Sequence, residues 1–166
     1  MIYGLPIKKI IIFFLIILAG WGLYNFAWYG TVKTDLPGSF TLITLDNEEV
    51  SADELRSGIK LRPGKHTLNA YGPLVRPGVS TLSVVPFREI QVKVQAQDLS
   101  AQQIFDQLTI PDKQAGYAVK FGKILENNTW LVGYVFDPEA DREGYINIYR
   151  FNGREWSVFE SGTGFD

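Results

Sequence analysis

The hydrophobic and polar positions divide this chain into two parts. From Ile10 to Tyr29 no residue is charged, and Asn25 is the one strongly polar side chain. Beyond Thr31, apolar residues form short runs that alternate with polar ones and are interrupted by Gly, Pro, Asn and Asp. The first pattern is typical of a helix that is apolar on every side, and the second is typical of short β-strands.

The apolar part predicts a transmembrane helix over residues 10–29. Its 20 residues, as a helix, span roughly 30 Å, the hydrocarbon thickness of a bilayer. Lys8 and Lys9 precede the run, so the positive-inside rule places residues 1–9 in the cytoplasm and the C-terminal part outside. Aromatic residues crowd the far end of the run, as expected at the level of lipid headgroups: Trp21, Tyr24, Trp28 and Tyr29.

A cleaved signal peptide is the alternative interpretation of this run. Lys8 and Lys9 resemble a basic n-region, and residues 10–18 resemble an apolar h-region. However, Leu18 stands where a cleavage site ending at Gly20 would need a small residue, and bulky aromatic residues follow. We therefore expect an uncleaved signal anchor and a single-pass protein of the cytoplasmic membrane.

The part of the chain beyond residue 30 is acidic and contains no cysteine. All 18 Asp and Glu residues lie there, against 14 of the 16 Lys and Arg residues, which leaves a net charge of −4. A nucleic-acid partner is not expected, because such a surface requires a basic face. The absence of cysteine from the sequence excludes disulfides, thiolate nucleophiles and Cys-ligated zinc.

Residues 31–99 begin with a strand and a short capped helix. Residues 39–45 are rich in β-branched and apolar side chains and predict a strand that ends at the turn formed by Asp46 and Asn47. Ser51 and Glu54 then have the spacing of a capping box, which predicts a short helix.

The second half of this segment predicts further strands. Residues 62–65, with the sequence RPGK, predict a type II turn. Residues 66–71 are expected to form the returning strand, and residues 72–80 a long rigid loop. Residues 81–85 and 89–96 alternate apolar and polar side chains and predict two more strands.

This order of turns and strands resembles a PEGA-type domain over residues 31–99. The departures from that family's pattern are Ser39 in place of Ala, Asn47 in place of Gly, and a longer middle segment. The resemblance implies a small β-sandwich that serves as a non-catalytic accessory module of extracytoplasmic envelope proteins. The matching positions are Pro37, Gly38, Asp46, Leu61, Pro63, Gly64, His66 and Leu68.

Residues 100–166 predict one helix followed by a four-stranded antiparallel meander. Ser100 and Gln103 form a second capping box, and Pro111 is expected to end the helix. The pair Asn152 and Gly153 predicts a type I′ hairpin turn, and the helix is expected to cover one face of the meander. The predicted strands are residues 117–125, 129–136, 145–151 and 154–160. The closing hairpin resembles only that of small uncharacterised envelope proteins, and one sheet continuous with residues 31–99 is the alternative arrangement.

Candidate chemistry in the sequence is sparse. His66, the one histidine, follows a tight turn and is expected to be structural. An acidic loop has the donor types of a calcium site, namely Asp137, Glu139, Asp141 and Glu143. However, Arg142 and Ile148 stand where an EF-hand loop needs glycine and glutamate, so a solvated loop is favoured over calcium binding.

Five aromatic residues in the meander are candidates for a carbohydrate, peptide or partner surface. Packing in the core or across strands is the alternative for each of them. We expect no catalytic residues and no cofactor. The five candidates are Trp130, Tyr134, Tyr145, Tyr149 and Trp156.

The fold class expected is a single N-terminal transmembrane helix followed by a mainly-β ectodomain. The ectodomain would combine a small β-sandwich over residues 31–99 with a small α+β unit over residues 100–166. The function expected is that of a non-catalytic, membrane-anchored binding or scaffold protein of the cell envelope. Its partner would be an envelope component or a protein. The alternative is an accessory subunit of a membrane protein complex, recognised through the transmembrane helix, where Gly20 and Gly22 would allow close helix approach.

Overall fold

A computed structural model of the chain describes residues 7–26, 28–138 and 144–163. The mainly β character predicted from the sequence is confirmed. The elements, in chain order, are α1 (Ile7–Phe26), β1 (Gly30–Asp35), β2 (Leu42–Leu45), β3 (Glu48–Glu49), α2 (Ala52–Ser57), β4 (Ile59–Leu61), β5 (Gly64–Gly72), β6 (Val75–Val84), β7 (Glu89–Lys93), β8 (Gln97–Asp98), α3 (Ala101–Leu108), α4 (Ile110–Gln114), β9 (Ala118–Leu125), β10 (Trp130–Phe136), β11 (Tyr145–Phe151) and β12 (Trp156–Gly162).

The predicted transmembrane helix over residues 10–29 is wrong. Of all the residues described, no helix is both long enough and apolar enough to cross a membrane. Helix α1 ends at Phe26, so it contains 17 residues of the apolar run, about 25 Å of helix, and it begins with a turn that contains Lys8 and Lys9. The same finding contradicts the predicted signal anchor, the single-pass localisation and the fold class that included the span.

The end of the apolar run packs on a turn instead of continuing the helix. The Trp28 and Phe87 rings meet edge to face with centroids 5.9 Å apart, and the Phe87 N–H donates to the Tyr29 carbonyl at 2.8 Å. These contacts tie Trp28 and Tyr29, which precede β1, to the turn between β6 and β7. Within α1 itself, the large side chains from Ile10 to Leu18 are between 42% and 65% exposed.

Two sheets share one hydrophobic core, an arrangement compatible with the predicted β-sandwich. The β1 sheet has the order β4-β1-β7, with β1 antiparallel to β4 and parallel to β7. The β5 sheet has the order β3-β2-β5-β6-β8. Val32 of the first sheet and Leu68 and Ala70 of the second are fully buried between them, as is Leu55 of α2.

The local features predicted for this part of the chain are confirmed. Strand β2 ends at a turn in which Asp46 and Asn47 have φ of 53° and 73°. In the capping box of α2, the Glu54 N–H donates to Ser51 Oγ at 3.1 Å, and the Ser51 N–H donates to the Glu54 carboxylate at 2.9 Å. The inward alternation of Val92 and Val94 is also as predicted.

Two predictions about the second half of this segment are wrong. Strands β4 and β5 are separated only by Arg62 and Pro63 but lie in different sheets, so the chain crosses the sandwich there and no hairpin returns. Residues 72–80 belong mostly to a β5–β6 hairpin, with β6 starting at Val75. Strand β6 tolerates Pro77 because this residue lies where the β5–β6 register shifts, and Gly78 admits Val94, which would be 2.7 Å from an added Cβ.

The third sheet is the predicted antiparallel meander, and we call it the meander sheet. Its order is β12-β11-β10-β9, and helix α3 packs against β9 and β10. The Phe105 ring lies directly on Gly133, where an added Cβ would be 2.0 Å from Phe105 Cε2. Helix α3 ends at Leu108 as predicted, but Pro111 then lies in the first turn of the short helix α4, where proline needs no N–H partner.

The turn between β11 and β12 differs from the predicted type I′ turn. Gly153 has a φ of 100°, but Asn152 has no positive φ. Instead, the Asn152 side-chain carbonyl accepts hydrogen bonds from the Arg154 and Glu155 N–H groups at 2.9 and 3.0 Å. The side chain of Asn152 therefore organises a longer loop, a role that its sequence position alone did not reveal.

The three sheets are separate within the described residues, so the alternative of one continuous sheet is wrong. Two hydrogen bonds lie where the sandwich meets the meander unit, and the second of them crosses between the two. The Leu99 N–H donates to the Leu74 carbonyl at 2.8 Å, and Trp156 Nε1–H donates to the Pro73 carbonyl at 2.9 Å. Leu74 and Leu99 also pack against the core of the meander unit.

Candidate functional site

The two faces of the meander sheet have different surroundings. On β10, Leu131, Gly133 and Val135 face α3 and are buried. The intervening residues Trp130 and Tyr134 point to the opposite face, because side chains alternate along a strand. No helix of the described chain covers this opposite face, which we call the open face.

The structure separates the five aromatic candidates instead of bringing them together. Trp130 and Tyr134 lie on the open face. Tyr149 is 1% exposed and packs beside Phe105, so it belongs to the core. Tyr145 lies on the same strand and the same side of the sheet as Tyr149, and its hydroxyl donates to the Asp112 carboxylate of α4 at 3.1 Å. The fifth candidate, Trp156, packs against the same core.

The open face also contains apolar side chains that the sequence analysis did not single out. Phe159 is 56% exposed, and its ring meets that of Trp130 edge to face with centroids 4.9 Å apart. Phe159 lies beside the register shift between β11 and β12. Counting alternate residues from the inward-facing Trp156 would have assigned Phe159 to the open face.

The open face is continuous across the inner strands. The Tyr134 and Phe136 rings stack with centroids 5.5 Å apart. Between Trp130 and the end of β9 lies a shallow cavity of about 240 Å³, whose walls are mainly apolar. We call the whole set the aromatic platform; its members are Leu125, Trp130, Val132, Tyr134, Phe136, Ile148 and Phe159.

Positive charge accompanies the aromatic platform. The Arg150 guanidinium lies 5.1 Å from the centre of the Trp130 ring, within range of a cation–π interaction. Lys120 is directly opposite Tyr134 and Lys123 is opposite Val132, so both share the open face. Glu160, opposite Ile148, is a carboxylate on the same face.

Two tyrosine hydroxyls near the meander core, those of Tyr145 and Tyr149, are held by hydrogen bonds within the protein. Burial, followed by the hydrogen bond to Asp112, raises the pKa of Tyr145 to about 12. A phenol with that pKa holds its proton at neutral pH and cannot act as a base there. Burial likewise raises the pKa of Tyr149, and its hydroxyl accepts from Asn147 Nδ2 at 3.1 Å.

The predicted calcium loop lies mainly outside the described residues. Glu139, Asp141 and Glu143 belong to residues 139–143, which the structure does not describe. Asp137 is described, and it lines a cavity of about 290 Å³ together with Tyr117. Over the described ranges, no three His, Asp or Glu side chains form a group that could hold a metal ion.

His66 is placed by the turn that follows β2. Its Nδ1 is 2.5 Å from Asp46 Oδ2, and its Nε2 is 2.8 Å from the Arg62 carbonyl. The other oxygen of Asp46 accepts the Thr67 N–H at 2.9 Å. These contacts fasten the β2–β3 turn to the chain that crosses between the two sandwich sheets.

Known proteins give no independent assignment of this chain. Comparisons with protein-family models, with curated proteins and with solved structures found no match in any of the three. The resemblance of residues 31–99 to a PEGA-type domain therefore stays a prediction.

Proposed function

We propose that this chain is a non-catalytic binding or scaffold protein that takes a segment of a partner protein on its aromatic platform. The observation that carries the proposal is the open face itself, where the exposed rings of Tyr134 and Phe159 lie against the half-buried rings of Phe136 and Trp130. Large exposed apolar patches on folded proteins commonly mark interaction sites. Tryptophan, tyrosine and arginine, the types present in Trp130, Tyr134 and Arg150, are also the commonest residues at interface hot spots.

The platform is suited to binding because it is already ordered. Its side chains stand on hydrogen-bonded strands, with Gly133 and Phe105 packing the sheet against α3 from behind. Trp130 is further fixed by contacts with Phe159 and Arg150. Because these side chains are constrained before a partner arrives, little conformational entropy is lost on binding.

The charge on the open face favours a partner segment that combines apolar and acidic side chains. Lys120, Lys123 and Arg150 flank the platform and outnumber its carboxylates, Glu126 and Glu160, whereas the whole chain has a net charge of −2. An acidic segment would be attracted to this face and repelled by much of the remaining surface. Such attraction mainly raises the rate of association and weakens with added salt.

The predicted alternative, an accessory subunit recognised through a transmembrane helix, is not retained. It required a span over residues 10–29, and the structure contradicts that span.

The test is site-specific crosslinking with matched variants. A photoreactive amino acid at position 134 should capture a distinct protein from a lysate of the source cells. We expect the yield of that product to fall about tenfold or more with Phe159→Ala or Trp130→Ala, as for loss of a hot-spot side chain.

Phe87→Ala is the control for Phe159→Ala. Phe87 is 68% exposed on the turn between β6 and β7, so the same atoms are removed from a different surface. The product should be retained in this control. If no product depends on Trp130 or Phe159, or if Phe87→Ala abolishes it equally, the platform is not the binding surface.

A further inference from the structure

A second concave surface lies where the sandwich meets the meander unit. This cleft has a volume of about 440 Å³ and is lined by turns from four separate parts of the chain. Binding sites for small molecules have volumes of roughly 300–1,000 Å³ and often lie at such junctions. The cleft is distinct from the aromatic platform, because none of the platform residues lines it.

The floor of the cleft is fixed by bonds within the protein. The Leu74 carbonyl accepts from the Leu99 N–H, and the Pro73 carbonyl accepts from the Trp156 indole N–H. Behind the floor, Gly72 approaches Ser39 so closely that an added Cβ would be 2.2 Å from the Ser39 carbonyl oxygen. The cleft therefore exists before any ligand binds.

The turn that forms one wall is also held in a defined conformation. Glu126, Asn127 and Asn128 all have positive φ, of 45°, 52° and 66°. Thr129 stabilises this turn, since both its N–H and its hydroxyl donate to the Glu126 carbonyl, at 3.0 and 2.6 Å. Both asparagines of this turn line the cleft.

Polar residues line the cleft from several segments of the chain. Asn127, Asn128, Asp98, Ser39 and Thr41 supply two amides, one carboxylate and two hydroxyls. Among the described residues, these side chains make no hydrogen bonds to one another or to the rest of the protein. This set offers both donors and acceptors to a ligand, with no internal bond to break first.

The residues that line the cleft favour one class of ligand. No cationic side chain is among the described residues that line the cleft, which disfavours an anionic ligand. Leu74 and Leu99 add an apolar contact surface beside the polar groups. A sugar ring combines a C–H face with a rim of neutral hydroxyls that both donate and accept. We propose that this cleft binds a neutral sugar unit, independently of the partner site on the platform.

The proposal is tested by NMR titration of the full chain. Glucose, galactose, mannose and N-acetylglucosamine would each be added at millimolar concentrations, with trialanine as a peptide probe. We expect at least one sugar to shift the backbone amides of Leu99, Asn127 and Asn128 in a saturable manner. No saturable shift with any of the four sugars, or a shift of these amides by trialanine alone, would overturn the proposal.

Two substitutions link any binding to the cleft without disturbing the fold. Asn128→Gly removes the amide while keeping the positive φ that glycine adopts freely, and Asp98→Asn replaces the carboxylate by an isosteric group. Each should weaken sugar binding about tenfold, as for loss of one hydrogen bond in a formed site. Gln91→Ala, on the exposed side of β7, is the control and should leave the titration unchanged.

Phe159→Ala separates this proposal from the proposed function. It should leave the sugar titration unchanged even where it abolishes capture of the protein partner. Sugar shifts that persist in both Asn128→Gly and Asp98→Asn would overturn the assignment to the cleft.

Discussion

His66 lies with both ring nitrogens facing hydrogen-bond acceptors. The Asp46 carboxylate faces Nδ1 and the Arg62 carbonyl faces Nε2. Both nitrogens can donate to these acceptors at the same time only when the ring is protonated, so the geometry favours the imidazolium form of His66. Burial lowers the pKa of His66, but the hydrogen bonds to Asp46 and Arg62 outweigh it and the net shift is upward from 6.5.

This arrangement predicts a loss of stability as the pH rises above neutral. The pKa of His66 is higher in the folded state, so its contribution is fully present below about pH 6.5 and is lost as pH rises through the folded-state pKa. Burial raises the pKa of Asp46, but hydrogen bonds from His66 and Thr67 lower it overall, so its contribution is lost in acid. The pair should stabilise the fold most between these two transitions.

Urea denaturation at a series of pH values measures this effect. The unfolding midpoint of the wild-type chain should decrease between pH 6 and pH 9, and the His66→Gln variant should lack that component. An identical decrease in His66→Gln would show that another group is responsible.

Unlike the ring of His66, the buried hydroxyl group of Thr34 makes no hydrogen bond among the described residues. It is 2% exposed on β1, and its Oγ1 has no hydrogen-bond partner among the described residues. Replacement by valine keeps the shape and removes the unpaired group, so Thr34→Val should raise the free energy of unfolding by about 1 kcal/mol.

Thr44→Val is the matched control for Thr34→Val. Thr44 is similarly buried, but its Oγ1 accepts a hydrogen bond from Asn69 Nδ2 at 3.4 Å. This variant should not be stabilised, because it leaves the Asn69 amide unpaired. Chemical denaturation of both variants gives the comparison, and equal effects would refute the argument.

At the scale of elements, the packing of α3 on the meander sheet depends on one glycine. An alanine Cβ at position 133 would overlap the Phe105 ring. Gly133→Ala should therefore destabilise the protein by about 2 kcal/mol, the cost of overpacking a core. Gly38→Ala, where no atom lies within 4 Å of the added Cβ, should have little effect.

Thermal or chemical denaturation of the two glycine variants measures the difference. The smaller side chain in Phe105→Leu should partly rescue Gly133→Ala, giving a favourable coupling in a double-mutant cycle. If the decreases in the free energy of unfolding caused by Gly133→Ala and Phe105→Leu are additive, Phe105 is not the residue that requires glycine at position 133.

Features encoded by neighbouring residues were the ones that could be predicted from the sequence. The capping boxes at Ser51 and Ser100 depend on contacts three residues apart, and both are present. The meander was likewise predicted because each strand pairs with the next one in the chain.

Features that depend on distant contacts were missed. The β1 sheet pairs β1 with β7, more than fifty positions later, and no pattern within either strand specifies that partner. Pro77 and Gly78 predict a loop over residues 72–80, yet Val94, just after β7, requires the small residue at position 78. The aromatic pattern predicts only part of the open face: Trp130 and Tyr134 lie on it, whereas Tyr145 and Tyr149 belong to the covered side.

At the scale of the whole molecule, the end of α1 shows how tertiary packing overrides hydrophobicity. The apolar run continues to Tyr29, but the helix ends at Phe26. Trp28 instead packs on Phe87, with ring centroids 5.9 Å apart. A count of apolar residues places Trp28 and Tyr29 in the helix. It misses their contacts with Phe87, because those contacts depend on the folded structure and not on neighbouring residues.

The two structural units are joined by few contacts, and Trp156 supplies the one side-chain hydrogen bond described between them. Its indole N–H donates to the Pro73 carbonyl across the junction. Trp156→Phe keeps an aromatic ring but leaves that carbonyl without this donor, so it should cost about 1 kcal/mol. Trp130→Phe, on the open face, is the matched control and should cost less, because Trp130 makes no such bond across the junction.

Hydrogen exchange distinguishes a loss at the junction from a general loss of stability. If the junction couples the units, Trp156→Phe should lower the protection of amides in β11 and β12 more than that of amides in β2 and β5. Leu74→Ala, which removes packing at the same junction, should have the same pattern and a larger effect. An equal decrease in all four strands would mean that the sandwich and the meander unfold as one cooperative body.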